Sequence, residues 1–201
     1  MWICWRPSTG LCAIWNAPKV NRSFRDADRA IMKAELANRM VVALKNSGID
    51  FISHVPETRL SEMLPLLKAD DTFMLVPVAS EAEAVGIAAG AALAGKRAAV
   101  YMEGTGVFVS AYNLLTVGIR YGVPMLLLVS YIGSVEDQRN TFLYSQYGCR
   151  MIPQLEALGI EYRIIEDGGN IGAKVSNAVR AMHALKQPVA LLFTGEFTEA
   201  Q

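Results

Sequence analysis

The chain has 201 residues, 52% hydrophobic and 19% charged, with nineteen basic side chains against nineteen acidic ones. That composition excludes a disordered chain, because enough apolar surface is available to offset the entropy of ordering. Zero net charge excludes a polyanion binder, which needs a concentrated basic face.

All three tryptophans (Trp2, Trp5, Trp15) and two of the three cysteines (Cys4, Cys12) lie in the first fifteen residues, where Arg6 and Pro7 interrupt any apolar signal core. Residues 1–31 read as an extension outside the fold. It either precedes a natural start at Met32 or forms an arm that docks on a partner subunit. Residues 32–201 read as one domain, large enough to bury roughly 70% of its unfolded surface without a disulfide or metal staple. The cysteines are too few for a disulfide framework and fit a reducing, cytoplasmic compartment.

From Lys33 to Asn46 the apolar residues Ala37, Met40, Val41 and Leu44 share one helical face, and Gly48 stops the helix. The spacing then predicts a strand over Asp50–Val55, a helix over Arg59–Leu67 and a strand over Phe73–Val78. A helix of small residues follows over Glu81–Leu93, then a strand over Ala98–Met102 and a helix over Ser110–Arg120. The uniformly apolar run Pro124–Ser130 fits a strand buried on both faces. After a polar interruption, Tyr131–Tyr147, come helix Ile152–Leu158, strand Glu161–Ile165, helix Ile171–Leu185 and strand Pro188–Phe193. The longest apolar stretch of the interior, Ala82–Gly95, is too short to cross a bilayer.

Six strands alternating with helices predict an α/β fold: a doubly wound, mainly parallel six-stranded sheet flanked by helices. Ligands in such sheets gather at the carboxyl edge of the strands. Four junctions there carry unusual residues: 53–58, 79–83, 103–106 and 131–147. At the second, Ser80 and Glu83 suffice for a reciprocal helix cap, in which Glu83 reaches back to the Ser80 N–H. Glu81 is left over, with complementing the helix dipole as its ordinary explanation. The smooth helix after it, with Gly86, Gly90 and several alanines, lets a backbone or flat ligand approach closely. Gly104-Thr105-Gly106 reads as a tight turn or a weak phosphate cradle; it lacks the pattern of a P-loop or dinucleotide fingerprint. His54 ends a strand, where chemistry is plausible, whereas His183 reads as ordinary helix surface. Neither belongs to a spacing that would hold a metal.

The stretches His54-Val-Pro-Glu-Thr58, Val76-Pro-Val-Ala-Ser-Glu-Ala-Glu-Ala-Val-Gly-Ile-Ala-Ala-Gly90, Tyr101-Met-Glu-Gly-Thr-Gly106 and Val123-Pro-Met-Leu-Leu-Leu-Val129 resemble the pyrimidine-binding (PYR) domain of thiamine diphosphate enzymes. Sulfopyruvate decarboxylase alpha subunits and phosphonopyruvate decarboxylases are nearest in pattern, over roughly Lys33–Gly195. The resemblance implies that Glu81 is the cofactor-activating glutamate, set against N1′ of the aminopyrimidine. It implies that Gly104, Thr105 and Gly106 lie near the pyrimidine, and that His54, Glu57 and Thr58 face the substrate, with His54 also a candidate catalytic group.

Two departures qualify these implications. The family pattern Met-Gln-Asn-Ser-Gly-Leu-Gly-Asn reads here Met102-Glu-Gly-Thr-Gly-Val-Phe-Val109, so amide positions have become Glu103, Gly104 and Val109. The Gly-Asp-Gly and downstream asparagines that hold diphosphate and Mg²⁺ in the family are missing; Asp167-Gly-Gly-Asn170 is similar only superficially. The resemblance therefore implies one subunit of a heteromeric 2-oxo acid decarboxylase, with at least two copies of each chain and Mg²⁺ held by the partner. A carboligase of the same cofactor, with Val107-Phe108-Val109 favouring a larger acceptor, and a non-catalytic scaffold are the alternatives.

Overall fold

Strands Leu126–Ser130 and Val189–Phe193 are buried at every position, as parallel strands covered by helices on both faces must be. They are adjacent interior strands of the sheet in the computed structural model, which describes residues 33–134 and 142–197. The expected extension at 1–31 lies outside the described residues. In chain order the elements are α1 (Ala34–Asn46), β1 (Phe51–His54), α2 (Met63–Ala69), β2 (Met74–Pro77), α3 (Glu81–Leu93) and β3 (Ala98–Glu103). There follow α4 (Gly104–Val109), α5 (Ala111–Asn113), a π-helical segment (Leu114–Arg120), β4 (Leu126–Ser130), α6 (Phe142–Leu158), β5 (Glu161–Ile165), α7 (Ile171–Leu185), β6 (Val189–Phe193) and a 3₁₀ turn (Gly195–Phe197).

The sheet is parallel throughout, in the order β2-β1-β3-β4-β6-β5. Side-chain alternation divides its core in two. Ile52, Tyr101, Leu128 and Leu191 face a layer built from α1, α2 and α7. Phe51, Val100, Met102, Leu127 and Leu192 face the layer of α3, α4, the π segment and α6. Each fully buried Leu or Phe contributes roughly 1.5–3 kcal/mol. Helix α1 buries Leu36, Ala37, Met40, Val41 and Leu44 on one face and ends where Gly48 takes φ +78°, a left-handed conformation that favours glycine.

The neighbouring strands β1 and β3 lead their connections to opposite faces: β1 runs on toward α2 in one layer, β3 directly into α4 in the other. The carboxyl edge at such a point of divergence is the usual ligand position in these sheets.

Helix α2 starts at Met63, four residues later than expected, and three further elements differ from the sequence reading. Gly104-Thr105-Gly106 is the first turn of α4 and not a tight turn. The two glycines are buried and let α4 sit close: a Cβ on Gly104 would meet Met151 Cε at 2.7 Å and Ser130 O at 3.1 Å. Helix α6 begins at Phe142, ten residues earlier than the periodicity indicated, and carries Pro153 inside it. Met151 and Leu155, buried against the sheet on either side of that proline, anchor the segment. The predicted helix Ser110–Arg120 is divided between α5 and the π segment. Among the described residues no helix is long and apolar enough to cross a membrane.

Candidate functional site

Helix α3 starts as its sequence dictates. Ser80 Oγ accepts from the Glu83 N–H at 3.3 Å. The Glu83 carboxylate accepts from the Ala79 N–H at 2.9 Å, one residue before the position expected. Two further side chains clamp the first turns: Asn113 Nδ2 donates to Ala82 O at 2.6 Å, and Ser53 Oγ donates to Ala84 O at 2.8 Å. Glu81 takes no part in the cap. Its stem lies on the backbone of α4, where a Cβ on Gly106 would come within 2.5 Å of Glu81 Cγ. Ser110 Oγ, donating to Gly106 O at 2.6 Å, steadies that peptide from below. The structure therefore brings Glu81 and Gly106 together and holds both from several directions.

Glu57 lies at the same carboxyl edge, on the loop after β1. Its carboxylate accepts from the backbone N–H groups of Arg59 (2.7 Å) and Leu60 (2.6 Å) and from the Tyr101 hydroxyl (2.6 Å). The Tyr101 bond ties the loop after β1 to the end of β3, across the point where their connections diverge. Burial raises the Glu57 carboxyl above its ordinary pKa, against the pull of these donors, and the Glu103 charge adds to the rise. Tyr101, buried beside that carboxylate, has its own pKa pushed up.

Glu103 stands between the two acids electrostatically. Burial raises its carboxyl; Thr105 Oγ1, donating at 3.4 Å, opposes the rise, the Glu81 charge adds to it, and Arg59 opposes it. Glu57, Glu103 and Glu81 thus form an acidic edge with the buried Arg59 as its cation. Glu57 and Glu103, raised in this way, keep their protons to higher pH than an exposed carboxyl does.

Thr58 is exposed on the same loop as Glu57. His54 is placed elsewhere. Where the Ser53 side chain reaches α3, His54 points to the opposite face of the sheet and lines a cavity beside α2. The structure does not bring it to Glu81. Val107-Phe108-Val109 does not form one lining either: Val107 is in the core, Phe108 packs on Tyr147 with ring centroids 5.9 Å apart, and Val109 is exposed. Asp167 accepts from the Gly169 N–H and pairs with Lys174 at 3.0 Å, which accounts for it as a loop residue. Among the described residues, no three His, Cys, Asp or Glu side chains converge as a metal site. Sequence reasoning missed Arg59 and the role of Tyr101. The signal for the tyrosine was its place on the inward-facing alternation of β3, one residue from the strand's last pair of positions.

Three comparisons bear on this geometry. Residues 34–146 match the family described as thiamine pyrophosphate enzyme, N-terminal TPP binding domain. Sulfopyruvate decarboxylase subunit alpha from Methanocaldococcus jannaschii is 30% identical over 158 residues, covering 78% of this chain and 92% of that one. Its counterpart from Methanothermobacter thermautotrophicus is 33% identical over 135 residues, 67% of this chain and 76% of that one. Among solved structures, a 2-oxoglutarate:ferredoxin oxidoreductase from Magnetococcus marinus superposes with a TM-score of 0.63 at 17% identity, and so supports the fold. That match covers 86% of this chain and 30% of the larger one. With that family matching more than half of the chain, and a 30% identical relative covered over 92% of its length, the chain belongs to the thiamine pyrophosphate enzymes as their N-terminal TPP-binding domain.

Proposed function

We propose that the chain is the PYR-type subunit of a heteromeric, thiamine diphosphate-dependent decarboxylase acting on a small 2-oxo acid. The observation that carries this reading is Glu81: a carboxylate spared by its own helix cap and laid against the bare backbone of Gly106. Those residues fit the pyrimidine end of the cofactor, since glycine at 106 leaves room for a carboxylate that any side chain there would displace. Bound at this edge, the cofactor supplies the electron sink for decarboxylation. Glu81 would hold or share a proton at the aminopyrimidine N1′, and Gly104, Thr105 and Gly106 would border that ring. Glu57, fixed by Tyr101 and two backbone donors, would present a proton-carrying group to the substrate side, with Thr58 beside it. Diphosphate and Mg²⁺ would be held by a separate subunit in a cytoplasmic complex with two or more copies of each chain. The relatives named sulfopyruvate decarboxylase make a 2-oxo acid with a second acidic group the first substrate to try.

The test is Glu81→Gln in the assembled complex, with folding followed by circular dichroism, cofactor binding by calorimetry and turnover by carbon dioxide release. The amide keeps shape and removes the proton-carrying group, so turnover should fall by roughly 10²–10⁴-fold with folding and assembly intact. Wild-type turnover in that variant would overturn the assignment.

A further inference from the structure

On the face of the sheet away from α3, a cavity of about 500 Å³ opens between β1, β2 and α2, within the size range of small-molecule sites. Leu64 and Leu67 of α2 and Phe73 and Leu75 beside and on β2 make its walls apolar. Two polar groups interrupt them. His54 is only 2% exposed, lines the cavity, and has no hydrogen-bond partner at either ring nitrogen. Lys68 is exposed at the same cavity. Burial, and then the charge of Lys68, hold the imidazole below its ordinary pKa. It is therefore neutral near pH 7, with one N–H to donate and one lone pair. A buried polar side chain without a partner is costly, and a ligand that bonds to it removes the cost.

The number and type of donors narrow the ligand. One ammonium and one imidazole N–H match a single carboxylate; a phosphate dianion would leave oxygens facing leucine and phenylalanine. We propose that this cavity binds a small organic acid with an apolar chain, its carboxylate shared between His54 and Lys68 and its chain laid on Leu64, Leu67, Phe73 and Leu75. The site is distinct from the acidic edge, and it goes beyond the decarboxylase reading without depending on it. Tyr101 connects the two places: its ring centroid is 6.2 Å from that of His54, and its hydroxyl holds Glu57.

The chain has two histidines, so ¹⁵N-histidine spectra of the full-length protein report on His54 against His183 as an internal control. Isovalerate and benzoate are the probes, with 3-methylbutanol as the uncharged counterpart of the first. Both acids should shift the His54 ring signals saturably and leave those of His183 in place. Lys68→Met, a change at an exposed position, should weaken binding at least about tenfold, as loss of one charge-assisted contact does. Glu81→Gln should leave it unchanged. The proposal is overturned if neither acid moves the His54 signals, if the alcohol binds as well as the acid, or if Lys68→Met has no effect. Loss of acid binding in Glu81→Gln would likewise overturn it, because the acids would then be reporting on the acidic edge.

Discussion

Replacing Gly106 by alanine would place a methyl group 2.5 Å from Glu81 Cγ, 3.1 Å from Glu81 Cβ and 3.0 Å from Met102 Sδ. Carbon atoms pack best at about 3.5–4.0 Å, so either Glu81 moves by roughly 1 Å or α4 withdraws from α3. Two terms set the change in stability. Alanine in place of glycine in a helix gains about 1 kcal/mol, and overpacking costs about 1–3 kcal/mol. The net is a loss of about 0–2 kcal/mol, or at most about 8 °C in melting temperature for a chain of this size. Turnover by the assembled complex should suffer more, because a misplacement of about 1 Å costs on the order of 10²-fold. Gly86 and Gly90 are the controls for propensity alone: a Cβ on either meets nothing within 4 Å, so alanine there should stabilise. Thermal melts and single-turnover rates of Gly106→Ala separate the two effects. A variant that gains stability like Gly90→Ala and keeps full turnover would refute the packing of Glu81 on Gly106.

Two further predictions concern the other acids. Tyr101→Phe removes the 2.6 Å donor to Glu57 and leaves that carboxylate its two backbone N–H groups. Denaturant unfolding should show a loss of about 1.5 kcal/mol, at the lower end for a bond to a charged group; an unchanged midpoint would refute the link between β1 and β3. Glu103 is held above its ordinary pKa of 4.5, chiefly by burial. The folded state therefore binds that proton more tightly than the unfolded one, and its contribution to stability is lost as pH rises from 4.5 through the raised value. The stability advantage of Glu103→Gln over the parent should grow from pH 4.5 toward neutrality, and a pH-independent difference between the two would count against the burial of this carboxyl.

Much of this was legible because local signals and burial agreed. The runs at 126–130 and 189–193 contain almost nothing but apolar residues, and they are the fully buried strands. Ser80 and Glu83 announced the start of α3, and the cap they form made Glu81 conspicuous by its idleness. What stayed hidden depended on contacts between distant residues. Gly-Thr-Gly-Val-Phe-Val is a poor helix by propensity. It is helical at 104–109 because Met151, Ser130 and Glu81 close on its bare backbone. Glu57 was singled out from its loop alone, and only the fold reveals that Tyr101 reaches it from 44 residues away. His54 was expected to face the substrate from its strand end, yet strand alternation turns it to the far side of the sheet. A one-residue step along β1 separates Ser53 on α3 from His54 on the α2 cavity.

The strand order has a consequence for how the chain can be made. β4 and β5 are consecutive among the strands but never pair: β6 lies between them, with Val189 matched to Leu126 on one side and to Glu161 on the other. During synthesis, residues 161–165 therefore have no strand to join until residues 189–193 have left the ribosome. The last-made strand is an interior one, buried along its whole length. A chain interrupted before Val189 loses more than an edge: β4 keeps one bare flank, β5 stands unattached, and the apolar layers on both faces stay open. Long-range parallel pairing of this kind is slow and exposes unfinished edges. The window between making β5 and seating β6 therefore leaves unpaired strand edges open to other chains.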